Sequence, residues 1–279
     1  MKYLIANVLL VFASLFASAQ SNGTEKAQIQ LIRNVTIVID YNGKKILLDP
    51  MFSPKGAIGS WAGEIETPTV DLPMPIDEIT KDIDMVLVTH THADHFDKPA
   101  SDALDKNIKL FGQPADKQHF LNEMFWNSEV IADSVVYDGI TIIRTNAQHG
   151  TGRPLKYMGD ASGFVLKADN QPTVYIIGDG VWTQEIYDNI VKFQPDYIVV
   201  NSGGAYPTGP YGATPIIMDE IQVMALLQES GDTPVIAVHM DAVDRCRTTR
   251  KVLRNEADKG KIAPGKLIIP ADGEIIKLK

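Results

Sequence analysis

Apolar residues recur in this chain in short runs closed by Gly, Pro, Asn or Asp, which is the pattern of strands rather than of long helices. Residues 29–32 and 35–39 read as two strands with Arg33-Asn34 as the turn between them. Tyr41-Asn42-Gly43-Lys44 carries the Asn-Gly hairpin signal, 45–48 is the returning strand, and Asp49-Pro50 ends it because Pro cannot donate to a ladder. Residues 51–80 are irregular and rich in Pro and Gly, a length that in a compact domain often serves a site, and Trp61 is the expected wall residue. Strands follow at 85–88, 108–111, 129–131, 134–137, 141–144, 161–166, 174–177, 197–200, 234–238, 266–269 and 274–277. Helical spacing predicts helices over 99–104, 115–125, 182–191, 217–227 and 244–255. Meander, alternation, meander and alternation again predict two sheets with helices outside.

Several of these apolar strands end in a polar residue able to bind a metal: His90, His149, Asp179 and His239. The first opens the densest such stretch, Thr89-His90-Thr91-His92-Ala93-Asp94-His95, which holds three of the chain's six His. In extended backbone, His90 and His92 leave the same face and can grip one ion. Asp94 and His95, at the turn, are free to serve a second ion. Burying such a set without metal would demand many hydrogen-bond partners, whereas zinc and similar ions accept imidazole and carboxylate directly. Asp49 is either a turn residue or an acceptor that orients a ligand His. His119 fits no ligand spacing and reads as a helix-surface residue. Arg247, Arg250, Lys251 and Arg254, at helical spacing, read as a solvated face.

Composition changes this picture in three ways. Residues 1–19 have one charge, Lys2, then an apolar segment and Ala17-Ser18-Ala19, which fits a cleavable signal peptide better than a short membrane anchor. Residues 20–279 are then expected to form a single exported domain, periplasmic and without a membrane span. Removing Lys2 takes the formal net charge from −9 to −10, and an acidic surface argues against nucleic acid as a partner and for a small-molecule substrate. The single Cys, Cys246, can close no internal disulfide and reads as a small buried residue.

Taken together, His90-Thr91-His92-Ala93-Asp94-His95, then His149, Asp179 and His239, resemble the metallo-beta-lactamase superfamily, whose pattern is His-x-His-x-Asp-His followed by His, Asp and His at strand ends. The resemblance implies an α/β fold, a four-layer αββα sandwich of two mixed sheets with outer helices. It also implies two divalent ions: His90, His92 and His149 on the first, Asp94, His95 and His239 on the second, and Asp179 bridging. The contexts Ile46-Leu47-Leu48-Asp49-Pro50 and Val88-Thr89-His90 look like the branch of ascorbate-6-phosphate lactonase and the N-acyl-phosphatidylethanolamine phospholipases.

The expectation is a hydrolase in which two ions, zinc before manganese or iron, generate a hydroxide that attacks an ester, lactone or phosphodiester, with Asp94 and Asp179 as the catalytic carboxylates. Beta-lactam hydrolysis is disfavoured, since true beta-lactamases of this fold often lack an Asp at the position of Asp179. The rival from another class is a metal-binding or diiron redox protein of the same fold, but its members usually carry Glu where this chain has His92.

Overall fold

The computed structural model describes residues 26–207 and 214–279, so the leader expected over residues 1–19 lies outside the described residues. The first half of the chain forms β1 (Gln28–Arg33), β2 (Thr36–Tyr41), β3 (Lys44–Leu48), α1 (Ile76–Ile79), β4 (Met85–Leu87), α2 (Lys98–Ala103), β5 (Lys109–Gly112), α3 (Lys117–Asn122) and β6 (Ser128–Val130). The second half forms β7 (Ser134–Tyr137), β8 (Ile140–Ala147), α4 (Arg153–Met158), β9 (Ala161–Lys167), β10 (Val174–Ile176), α5 (Gln184–Phe193) and β11 (Tyr197–Asn201). It closes with α6 (Glu220–Glu229), β12 (Val235–Val238), α7 (Arg250–Lys259), β13 (Leu267–Ile268) and β14 (Ile275–Lys277).

Two seven-stranded sheets result, in the orders β14-β1-β2-β3-β4-β5-β6 and β13-β12-β11-β10-β9-β8-β7. Each is mixed. β1 to β3 pair antiparallel and β3 to β6 parallel, while β7 to β10 pair antiparallel and β10 to β13 parallel. Asn42 and Gly43 both take positive φ (53° and 72°), so the β2–β3 turn twists with its strands.

The layers follow from alternation. Ile29, Leu31, Ile37, Ile39, Leu48 and Leu87 of the first sheet meet Ile142, Phe164, Leu166, Ile176, Val199 and Val238 of the second in one buried cluster. The opposite faces are apolar too. Val86, Val88 and Leu110 pack under Ala100, Phe120 and Phe125, and Val165, Tyr175, Ile198 and Val200 pack under Ile186, Ile190, Leu226 and Leu253. Strands covered on both faces read as unbroken apolar runs, and the result is helix, sheet, sheet, helix. Asp97, Thr183, Asp219 and Thr249 each cap the helix that follows them.

Three expectations are corrected. The helix predicted over 115–125 is a 3₁₀ turn at Pro114–Asp116 followed by α3, which stops before Met124 at φ 63°. The helix predicted over 244–255 starts at Arg250, because Asp241 at φ 61° and a turn at 244–246 keep the preceding residues irregular. The basic face drawn through Arg247 therefore does not form. Arg250 pairs with Asp241 at 3.1 Å and with Asp272, Arg254 donates to the Leu267 carbonyl, and Arg247 lies over the Tyr206 ring. Finally, α4 was not predicted: six residues beginning with Arg153-Pro154 offer too little periodicity to read.

Candidate metal centre

All seven predicted ligands meet at one edge of the sandwich. His90 lies just past β4 of the first sheet, whereas His149, Asp179 and His239 lie just past β8, β10 and β12 of the second. Crossovers that return every parallel strand in one direction place those ends together. Three groups have ligand atoms within 4.8 Å of one another: His90, His92 and His149; His90, His95 and Asp179; and Asp94, His95 and His239. Six of the seven are buried, and His92 is half-buried on the side that opens to solvent beside exposed Ala93.

Hydrogen bonds outside the cluster aim each imidazole. His149 Nδ1 donates to the Ile216 carbonyl at 2.9 Å, which leaves Nε2 as the free nitrogen facing inward. His95 Nδ1 donates to Asp49 Oδ2 at 2.8 Å and turns Nε2 toward Asp179 Oδ2 at 3.3 Å. His239 Nδ1 faces Cys246 Sγ at 3.7 Å, so its Nε2 points at Asp94 Oδ2 (3.4 Å) and Asp179 Oδ1 (3.7 Å). Cys246 is half-buried rather than buried as expected, and it lies against a predicted ligand. Asp179 stands between the groups. Its Oδ2 is 3.4 Å from His149 Nε2 and 4.0 Å from His90 Nε2, and its Oδ1 accepts from Asn201 Nδ2 at 2.7 Å.

Asp49 ends β3 at φ 43° and is fully buried, which costs backbone strain and desolvation. Its carboxylate accepts from Thr89 N (2.7 Å), Thr89 Oγ1 (2.6 Å) and His95 Nδ1, so of its two readings the structure supports the acceptor that orients a His. His239 is also left-handed, at φ 65°, with its N–H donating to the Asn34 carbonyl at 2.7 Å. The same Asn34 donates from Nδ2 to the Asp94 carbonyl at 3.1 Å. The β1–β2 turn thus pins one ligand from each half of the cluster's sequence. His119 stays apart, half-buried and edge-on to Phe96 and Phe120.

Sequence reasoning passes over Asn34, Asn201 and the Ile216 carbonyl. Asn201 carries the same signal as the ligands, a polar residue closing an apolar strand. Asn34 reads only as a turn, and a carbonyl partner has no side-chain signature.

The electrostatics divide the cluster. Burial pushes His90 well below its ordinary range, with His95 adding to the effect, and burial lowers His92 as well. Burial likewise pushes His149 down to about 4. Burial opposes charge on His95 too, but Asp179 and Asp49 outweigh it and push that imidazole up to about 10. At His239 burial is again outweighed, by Asp179 and Asp94, and its pKa lies well above the usual range. Burial likewise disfavours ionised Asp94 and Asp179, yet the neighbouring imidazoles hold both far below the carboxylate range.

The donor set fits a metal. Buried His149 Nε2 has no hydrogen-bond partner, and His90 Nε2 and His92 Nδ1 face each other at 2.9 Å. A buried nitrogen lone pair left without a partner is costly unless a cation takes it.

Comparison with known proteins agrees with this geometry. Residues 44–240 match the family model described as a beta-lactamase superfamily domain. The chain is 38% identical over 252 residues to the UPF0173 protein YddR of Bacillus subtilis, covering 88% of this chain and 98% of the relative. Its fold is similar to a possible metal-dependent hydrolase from Veillonella parvula, with TM-score 0.87, 32% identity, and 91% and 100% of the two chains covered. It is also similar to the isothiocyanate hydrolase from Delia radicum gut bacteria, with TM-score 0.84, 34% identity, and 90% and 99% covered.

Proposed function

The chain belongs to the beta-lactamase superfamily, and from that membership we propose that it is a metal-dependent hydrolase acting on small molecules through two divalent ions, zinc first. One observation carries the reading: a three-imidazole group with an orphaned buried nitrogen is joined through Asp179 Oδ2 to a group of Asp94, His95 and His239. His90, His92 and His149 would hold one ion, Asp94, His95 and His239 the other, and Asp179 both. Such ions lower the pKa of water toward neutrality and polarise the group under attack. Asp94, which the imidazolium of His239 holds as the carboxylate in the metal-free cluster and which the ion would hold so in the loaded one, would accept a hydrogen bond from the attacking water and orient it. Asn201 holds Asp179 in its rotamer, and Asp49 fixes which nitrogen of His95 faces inward.

For the bond attacked, we propose an electrophilic carbon rather than phosphorus. The support is the likeness, at 34% identity over nearly the whole chain, to a protein named for hydrolysing isothiocyanates. Water adding to the carbon of R–N=C=S, with cleavage of the C–N bond, yields an amine and carbonyl sulfide. The test sets benzyl isothiocyanate beside a simple lactone and bis-p-nitrophenyl phosphate, each with a chelator control. Chelator-sensitive release of benzylamine, or lactone opening, supports the carbon-directed reading. Cleavage of the phosphodiester alone would move the protein to the phospholipase-like branch. Silence on all three with bound iron and redox activity would overturn the hydrolase.

A further inference from the structure

The excursion between β3 and α1 is folded back onto the loop after β12, and Asp244 is the fastener. Its carboxylate accepts from Ser60 Oγ, Trp61 N (3.1 Å), Ala62 N (2.9 Å) and Thr67 Oγ1 (3.4 Å). Thr69 adds two bonds to the same loop, N to the Ala242 carbonyl at 2.9 Å and Oγ1 to the Asp241 carbonyl at 2.6 Å. The strap brings Trp61 under Arg245, whose guanidinium lies 4.8 Å from the indole ring centroid. Both residues are half-buried.

Among the described residues, the Arg245 side chain has no ion pair and no hydrogen bond; the indole is its contact. Its charge nonetheless reaches the cluster. Beyond burial and the cluster's own His and Asp, Arg245 is the cation acting on both His92 and Asp94. The next residue, Cys246, lies with its Sγ 3.7 Å from His239 Nδ1, so Arg245 stands one residue from a side chain that touches the cluster.

Stacking uses the flat face of a guanidinium. Its N–H bonds lie in the plane and stay free, which suits a planar, two-oxygen anion. The chain's net charge of −9 repels anions in general, so an anionic ligand needs a local cation of this kind. We propose that Arg245, propped on Trp61, recognises a carboxylate on the substrate, and that Trp61 takes the flat apolar body bearing it. The proposal deepens the hydrolase reading and rests on it, since it takes the His/Asp centre to be where substrate reacts.

The experiment is fluorine NMR titration of zinc-loaded protein with para-fluorobenzoate and its neutral counterpart para-fluorobenzamide. Metal content is measured in every sample, and turnover is followed separately, so failure of the hydrolase reading shows without touching the binding result. Wild-type protein should favour the benzoate by roughly tenfold or more, the size of one charge-assisted recognition contact. R245M should bring the two ligands within about twofold at unchanged zinc content, R245K should keep part of the preference, and W61A should weaken both ligands. A preference that survives in R245M would assign the anion to the metal centre and overturn the proposal, as would equal binding, or none, by wild type. Should R245M misfold, R245Q supplies the same comparison.

Discussion

At His149 the inward nitrogen has no hydrogen-bond partner and burial holds the imidazole neutral, down to about 4; at His95, equally buried, Asp179 and Asp49 outweigh burial and push it up to about 10. One half of the cluster is three imidazoles with little charge to offer one another. The other is ion-paired within the protein, through Asp94 with His239 and Asp49 with His95. The contrast teaches that two groups of candidate ligands in one cluster can be prepared in opposite ways: one keeps lone pairs that a cation would satisfy, and the other holds protons that a cation would have to displace.

The largest test removes what the halves share. Asp179→Ala should lower chelator-sensitive turnover roughly a thousandfold or more and cost both metal equivalents, measured by elemental analysis. Retention of one full equivalent would show that the halves are independent of Asp179. Next in size is the stability of chelator-stripped protein. Asp94→Ala leaves His239 short of a buried counter-charge and should cost about 3–5 kcal/mol in urea unfolding. His149→Ala removes an orphaned nitrogen and one bond to a carbonyl and should cost only about 1 kcal/mol beyond its lost packing. Equal losses would erase the distinction.

The pH dependence sharpens it further. His95 has a folded pKa above its ordinary 6.5, so in stripped protein its contribution to stability is complete below about 6.5 and disappears as pH rises toward 10. His149 has a folded pKa below 6.5, so its contribution is present above 6.5 and lost as pH falls toward 4. Metal must therefore displace a proton at His95 and none at His149 near neutrality. Zinc competition with a chromophoric chelator at several pH values from 6.5 to 8.5 should show one equivalent nearly pH-independent. The other should weaken about tenfold for each unit of fall and each proton displaced. Identical slopes would contradict the division. The smallest effect is expected at Asp49→Asn, which removes the carboxylate that orients His95 and should weaken the second equivalent about tenfold while sparing the first.

The stretch from His90 to His95 is legible as a metal site because a strand's period of two and the turn after it are local facts. The hairpin at Asn42-Gly43 and the cap at Asp97 are legible for the same reason. Helix starts were less so. The helix expected over 244–255 loses its first six positions, because the left-handed Asp241 and the hydrogen bonds of the Asp244 strap hold residues 244–249 irregular, and those partners come from residues 60–69. Arg250 reads as a solvated cation until Asp272, far along the chain, is brought beside it.

Residue chemistry and its local spacing thus specified two sheets and a His/Asp cluster of the metal-binding kind, because alternation and strand-end polarity are written in neighbouring residues, while the kind of reaction came from the family resemblance that those residues carry. Packing decided the rest. Which nitrogen of each His faces inward, why His95 and His149 titrate in opposite directions, and why Trp61 lies under Arg245 all depend on partners far away in the chain. Burial and Coulomb energy act through distance in space, and folding alone sets that distance.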